Sequence, residues 1–319
     1  MKEFNLLSVP EQAQWLYDSA RDASKLGDHA VAQGYLIQSL NLFRGLDDKG
    51  GTARCLVELG QMLGWPGSKD FHSRRSMGEE ALVLFREMGD HSGIARALAM
   101  MASSCQPDEA VTLLLEGLKH VEIAADRAGQ AAVLSKLANR ALKSGESARA
   151  REYSQRALRL ARESDDKAAL AQTLFSTTLL LWDDVAVREA SLLEARNLFR
   201  ELGDEHSESR ALGMLAFTLY PDGDARAEPY LSEALKNERH RGHLPGIANC
   251  LMRLATIERA RGEIEKAETL ESESRAAYVL PEPDAEFVAA ILSGDPQKVH
   301  EAMGGSAPPN PIAGPATAP

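Results

Sequence analysis

A pattern of small residues and leucines, repeated every 36 to 42 residues, constrains the fold of this chain more than any other feature. In each copy a small residue is followed by a leucine three positions later and by a second small residue seven positions later. Spacings of three and seven lie on one face of a helix, where small side chains let a neighbouring helix approach closely. The pattern therefore predicts packed helices. The first small residues of the copies are Ala53, Ala95, Ala131, Ala171, Ser209 and Ala248.

A turn signal and a second helical segment with its own small residues follow each of these helices. Joins such as Gly203-Asp204 predict the end of one helix and the beginning of the next, because glycine adopts the left-handed conformation and aspartate caps an amino terminus. An earlier copy of the pattern begins at Ala13. We therefore predict seven helical hairpins, with fourteen helices, between about Pro10 and Ala277.

The repeated unit resembles the tetratricopeptide repeat. Its residues follow the order small-x-x-Leu-x-x-Leu-Gly/Ala, then a turn and Ala-x-x-x-aliphatic, and the clearest matches are Leu56-Val-Glu-Leu-Gly60, Leu134-Ser-Lys-Leu-Ala138, Leu212-Gly-Met-Leu-Ala216 and Leu251-Met-Arg-Leu-Ala255. The unit is longer than the usual period of about 34 residues. The extra residues lie in a Leu-Phe-Arg-Glu-Leu-Gly-Asp join, which is similar to the helical arrays attached to bacterial signal-transducing ATPases and transcriptional activators. The phosphate-binding loop and the DNA-reading helix pair of those regulators are not recognisable here, so the resemblance implies only a sensor or docking part.

The resemblance implies an all-α fold, a right-handed α-solenoid of about seven tetratricopeptide-like hairpins over residues 1–280. We expect residues 281–303 to form short capping helices, because the last hairpin of a solenoid otherwise exposes an apolar face. Residues 304–319 are rich in Gly, Pro and Ala, and we expect them to be disordered.

Composition narrows the classes of partner. Hydrophobic residues make up 44% of the chain but aromatic residues only 5%, which suits close helix packing. The net charge of −11 disfavours binding to nucleic acid. No apolar stretch is long enough to span a membrane. The three cysteines lie far apart, and no signal peptide is recognisable, so we expect a reducing, cytoplasmic location.

The first helices of such arrays line the concave side, and the residue after each opening small residue should face that groove. Several of these are donors, and three are arginines on an acidic protein, so they suit a carboxylate or phosphate held by charge-assisted bonds. The alternative is that these arginines are exposed helix residues that pair with nearby glutamates. The groove residues are Gln14, Arg54, Arg96, Ala132, Gln172, Arg210 and Asn249, and Asn139 is assigned to the same surface.

Large apolar side chains concentrate on the first helices of the fifth and sixth hairpins. They are Phe175, Trp182, Met214, Phe217 and Tyr220. One interpretation is an apolar floor that accepts an anchor from a partner or a small ligand. The alternative is that these side chains pack against the second helices as ordinary core.

Sites for metals or cofactors are not predicted. The pair His240-x-x-His243 has no third ligand within reach in the sequence, and no catalytic arrangement of side chains is recognisable. A basic cluster in a predicted long loop could touch an anion, although a solvated loop is the simpler and preferred explanation. That cluster is Lys69, His72, Arg74 and Arg75.

The leading hypothesis is a non-catalytic interaction scaffold or adaptor that binds a segment of another protein or a peptide in the concave groove. The second is a regulatory protein that senses a peptide or small-molecule ligand there. The third is an enzyme that uses the groove as a substrate cradle. Self-association is possible because the open ends of solenoids can stack.

Overall fold

The computed structural model describes residues 4–62, 70–181, 185–219 and 226–278. In these ranges the chain forms α-helices, two short 3-10 helices at Phe4–Leu6 and Ala102–Ser104, and no strand. The helices are α1 Val9–Lys25, α2 His29–Gly45, α3 Lys49–Met62, α4 Asp70–Met88, α5 His91–Met101, α6 Pro107–Ile123, α7 Arg127–Lys143, α8 Ser147–Glu163, α9 Lys167–Leu181, α10 Val185–Glu201, α11 Glu205–Leu219, α12 Ala227–His240, α13 Leu244–Ala260 and α14 Ile264–Tyr278.

Consecutive helices pack as seven hairpins, from α1–α2 to α13–α14, which confirms the predicted array. The first helices of neighbouring hairpins also touch each other, as in α3–α5, α5–α7 and α7–α9. The second helices lie farther apart, so the first helices form the inner side of a curved solenoid. The predicted capping helices at 281–303 and the tail at 304–319 lie outside the described residues.

The joins between hairpins have the geometry that the sequence predicts. Gly203 ends α10 with a φ of +66°, in the left-handed region that favours glycine. The Asp204 side chain then accepts a hydrogen bond from the backbone N–H of Ser207 at 2.9 Å. Each join thus ends one helix and begins the next within a few residues.

The repeated small residues and leucines form the core. The leucines of the pattern are at most 1% exposed in hairpins two to seven: Leu56, Leu98, Leu134, Leu174, Leu212 and Leu251. Cys55 and Cys250 occupy equivalent core positions, and burial raises the pKa of both thiols to about 11. This confirms that both cysteines are small core residues.

Ion pairs join every successive pair of second helices, and we call this series the outer ladder. Most of these side chains are half exposed, so each pair contributes only about 0–1 kcal/mol to the free energy of unfolding. The long arginine and glutamate side chains of this ladder bridge the gap that the curvature opens between the second helices. The pairs are Arg44–Glu80, Arg86–Glu116, Arg156–Glu122, Arg162–Glu194, Arg196–Glu233 and Arg239–Glu273.

The basic cluster near residue 70 corrects one prediction. Arg74 and Arg75 lie on α4, which begins at Asp70, and not in a loop. No Gly or Pro occurs in residues 68–77, and Arg75 pairs with Glu79 one turn later and with Glu109 on α6. Lys69 and the side chain of His72 lie outside the described residues.

The first and sixth hairpins meet. Helix α1 contacts α11, and Arg241, at the end of α12, donates a hydrogen bond from Nε to the carbonyl oxygen of Leu26 at 2.5 Å. Hairpins one to six therefore form a closed turn. Within the described part of the chain, none of the helices combines the length and apolarity needed to cross a bilayer.

We expect Leu134→Ala to lower the free energy of unfolding by about 2–5 kcal/mol, because the side chain is fully buried and its loss leaves a cavity. Leu142 lies on the same helix but is 46% exposed, so Leu142→Ala should change the free energy of unfolding by less than about 1 kcal/mol. Urea unfolding followed by circular dichroism measures both. Equal losses in the two variants would contradict the assignment of the leucine pattern to the core.

Candidate functional site

The inner wall of the solenoid is formed by two rows of side chains on the first helices. The first row consists of the seven groove residues predicted from the sequence, each of which follows the opening small residue of its helix. All of them are exposed except Arg54, which is half-buried. The second row stands four residues later on the same helix face. Its members are Asp18, Glu58, Met100, Lys136, Ser176, Met214 and Arg253.

Four arginines of the inner wall lie over aromatic rings. A guanidinium held over a ring is attracted by the ring face, and its plane is fixed before any ligand arrives. The distances from guanidinium carbon to ring centroid are 5.5 Å for Arg54 over Tyr17, 5.7 Å for Arg96 over Phe85, 4.8 Å for Arg210 over Phe175 and 5.6 Å for Arg253 over Phe217.

None of these four arginines has a carboxylate within ion-pairing distance in the part of the chain that the structure describes. Their additional partners are neutral. The Arg54 Nη2 lies 3.5 Å from the Gln14 side-chain oxygen, and the Arg253 Nε lies 3.0 Å from that of Asn249. Arg54, Arg96 and Arg210 therefore form no ion pair with a nearby glutamate in the described part of the chain, whereas the arginines of the outer ladder do.

A cavity of about 690 Å³ opens on the inner wall between α3, α5, α7 and the start of α9. This volume is in the range of about 300–1,000 Å³ that is typical of ligand sites. Arg96 and Lys136 contribute charge to its lining, and Met100 and Ala132 contribute apolar surface. The cavity therefore offers cationic groups beside an apolar floor.

Lys136 is open to this cavity but surrounded by protein. Burial lowers the pKa of its ammonium group, and the charges of Arg140 and Arg74 lower it further. Two carboxylates also line the cavity, but both cap helices: Asp126 accepts from the Gly129 N–H at 2.8 Å, and Asp166 caps α9 in the same way. Lys136 makes no ion pair with these or other carboxylates among the described residues.

Glu58 is the carboxylate that hairpin two contributes to the second row of the inner wall. Burial raises its pKa, and the charges of Arg96 and Arg21 oppose that rise. At Arg210 burial lowers the pKa of the guanidinium. These directions show that the inner wall is partly desolvated, which strengthens the attraction between its charges and a ligand of opposite sign.

The predicted aromatic floor divides into two parts. Phe175 is half-buried, and its ring packs edge-on against the ring of Phe199 with the two centroids 6.4 Å apart. Phe175 is therefore partly a core residue. Phe217 is 52% exposed and faces the groove under Arg253, while Met214 is half-buried beside it. Trp182 and Tyr220 lie outside the described residues.

The remaining predicted residues Gln172, Asn249 and Asn139 are exposed, and the Asn139 side chain donates a hydrogen bond to the Ser135 carbonyl at 3.0 Å. Sequence reasoning missed Lys136 and Arg253. Aligning the position four residues after each residue of the first row would have found both, because it lies on the same helix face.

The two histidines of the predicted weak pair contact different carboxylates. The His240 Nδ1 lies 3.3 Å from Glu205, and the His243 Nδ1 lies 2.5 Å from Glu238. Over the described ranges no group of three or more side chains is arranged to hold a metal ion.

Comparison with known proteins shows the fold. No protein-family model matches the sequence, and no similar sequence was found among curated proteins. Among solved structures, the chain is similar to BtubC (BKLC) from P. vanneervenii, with a TM-score of 0.56 and 17% identity over 77% of this chain and 97% of that chain. It is also similar to a Rap protein complexed with competence and sporulation factor, with a TM-score of 0.59 and 14% identity over 86% of this chain and 77% of that chain.

A third similar structure is a signal transduction ATPase with numerous domains from Pyrococcus horikoshii, PH0952, which has a tetratricopeptide repeat sensor. The TM-score is 0.54 and the identity 14%, over 89% of this chain and 45% of that one. At these identities the likeness carries the fold alone. The chain is a tetratricopeptide-like helical repeat protein, as its sequence resemblance predicts.

Proposed function

We propose that this protein is a non-catalytic binding scaffold whose inner wall receives an extended, acidic segment of another protein or a peptide. The observation that carries this proposal is the contrast between two sets of arginines. Those on the second helices pair with glutamates of the next hairpin, whereas Arg54, Arg96, Arg210 and Arg253 lie over aromatic rings and have no carboxylate partner among the described residues.

Such arginines suit a carboxylate ligand for two reasons. Hydrogen bonds between guanidinium and carboxylate groups are about twice as strong as neutral ones. The stacked side chains are already ordered, so less conformational entropy is lost when they bind. The net charge of −11 does not prevent this, because repulsion from distant carboxylates is screened beyond about 8 Å at physiological salt.

The spacing of the wall suits an extended chain. Packed helices lie about 8–10 Å apart, and an extended chain advances about 3.3 Å per residue. Cations on neighbouring first helices, such as Arg54 and Arg96, therefore face ligand residues about three positions apart. We propose that the ligand carries Asp or Glu at this spacing, with apolar residues between them that contact Ala132 and Phe217.

A second candidate is a sensor of a peptide or small molecule, and the closed turn favours it. A ligand that prefers the closed or the open turn shifts the balance between them, which is the physical requirement for sensing. Two of the similar structures support this candidate, one by its complex with competence and sporulation factor and the other by its tetratricopeptide repeat sensor.

Selection from a random peptide library displayed on phage tests the proposal without a known partner. We expect enriched peptides to carry Asp or Glu about three residues apart. Their affinity, measured by fluorescence anisotropy, should fall about tenfold or more in the triple variant Arg96→Gln, Lys136→Gln, Arg210→Gln, because charge-assisted bonds are lost.

A matched control removes the same charge from the outer ladder through Arg86→Gln, Arg156→Gln and Arg239→Gln. This control should bind the enriched peptides within about twofold of the unchanged protein, since the long-range charge is the same in both triple variants. Neutral or basic enriched peptides, or equal losses in the two triple variants, would overturn the proposal.

A further inference from the structure

The contact that closes the turn centres on Arg241, whose side chain is only 3% exposed. Its guanidinium makes three contacts on two hairpins. The Nη1 pairs with Glu238 at 3.0 Å, the Nε donates to the Leu26 carbonyl at 2.5 Å, and the Nη2 lies 3.0 Å from the His206 Nδ1. Each of the three guanidinium nitrogens of this buried cation has a hydrogen-bonding partner, so the contact between the two hairpins is specific.

The first hairpin has a matching shape. Gly27 has a φ of +78°, which disfavours any residue with a side chain. A Cβ atom at this position would lie 2.0 Å from the Arg241 Nη2. The turn after α1 therefore receives the guanidinium only because residue 27 is glycine.

The geometry also sets the protonation state of His206. Arginine is always a donor, so the His206 Nδ1 must accept, and the ring must be neutral. The His29 ring meets the His206 ring edge-on at a centroid distance of 5.2 Å, which adds a second imidazole to the contact. A proton on His206 would remove the acceptor and place two cations in contact.

Other charged groups face this pair of rings from each neighbouring element. They are Asp204 and Arg210 at the start of α11, Glu238, Arg241 and His243 at the join of α12 and α13, and Asp28 at the start of α2. Burial, followed by Arg241 and Arg210, lowers the pKa of His206 to about 4. Burial also lowers the pKa of His29, with Arg241 and His243 acting in the same direction and Asp28 opposing them.

We propose that Leu26, Gly27, His29, His206, Glu238 and Arg241 form a proton-sensitive clasp that holds hairpins one to six closed around the inner wall. The clasp also regulates access of a ligand to the groove, an inference that rests on the proposed function. While it is closed, a ligand enters the groove along the axis of the turn. When it opens, the first hairpin separates from α11 and α12, and the groove becomes accessible from the side.

The direction of the pH effect follows from the lowered pKa of His206. Neutral His206 favours the closed turn fully above its ordinary pKa of about 6.5, and this contribution is lost as the pH falls from there towards 4. Between about pH 7 and about pH 5 the equilibrium constant for closing should fall on the order of tenfold. His29 acts in the same direction.

Electron-paramagnetic-resonance distances in the ligand-free protein test the clasp directly. Spin labels at Asp22→Cys and Lys236→Cys, with the half-exposed native Cys105 replaced by Ser, lie on exposed sites of the first and sixth hairpins. We expect a single short distance at neutral pH, and a longer one in Arg241→Gln. Arg239→Gln, which removes the same charge from the outer ladder two residues before Arg241, should keep the short distance.

Gly27→Ala provides an independent variant, because it blocks the contact from the first hairpin and leaves the Arg241–Glu238 pair intact. It should also lengthen the distance, while circular dichroism shows the helices unchanged. A short distance in both Arg241→Gln and Gly27→Ala would overturn the clasp. This outcome is independent of the peptide selection, since no ligand is present.

We expect the distance in the unchanged protein to lengthen as the pH falls from about 7 to about 5, with the helical signal retained. In His206→Asn the side-chain oxygen can still accept from Arg241 but does not titrate, so the pH dependence should be reduced to the part due to His29. An unchanged pH profile in His206→Asn, or a turn that stays closed at about pH 5, would overturn the proposed proton sensitivity.

Discussion

The close approach of first helices at small residues determines the rest of the structure. Ala53, Ala95 and Ala131 are essentially inaccessible to solvent, and their minimal side chains let α3, α5 and α7 touch. The second helices then stand farther apart, and the stack must curve. Long arginine and glutamate side chains bridge the wider gap between the second helices. On the inner side, the side chains of the closely packed first helices form the wall of the groove. The close packing of the first helices therefore produces both the curvature and the groove.

This curvature gives arginine two different roles. On the outside, Arg44 and Arg86 reach glutamates across the gap between helices, where water competes and each pair adds little stability. On the inside, Arg96 and Arg210 lie over rings in a partly desolvated groove without acidic partners among the described residues. The same residue type therefore holds hairpins in register on one face and presents guanidinium groups without an ion pair on the other.

The sequence predicts the array because every element is local: the helix face, the glycine stop and the aspartate cap all lie within a few residues of each other. It also predicts the first row of the inner wall, since that row has a fixed place in the repeat.

Three features of the structure could not be predicted from the sequence. Lys136 and Arg253 stand where other copies carry Asp, Glu, Met or Ser, so no shared residue type marks the position. The start of α4 depends on pairing between helices, and the contact of Arg241 with Leu26 joins residues 215 positions apart, a relation that no local pattern encodes.

The contact between Arg241 and Leu26 fixes the number of units in the array. A solenoid with free ends can gain or lose a repeat, because each unit touches only its neighbours. Here an added or deleted hairpin between the first and the sixth would carry Arg241 past Gly27 by one whole repeat, and the two halves of the contact would no longer meet. The closed turn is therefore compatible with substitutions within units and with additions beyond it, but not with a change in the number of units inside it.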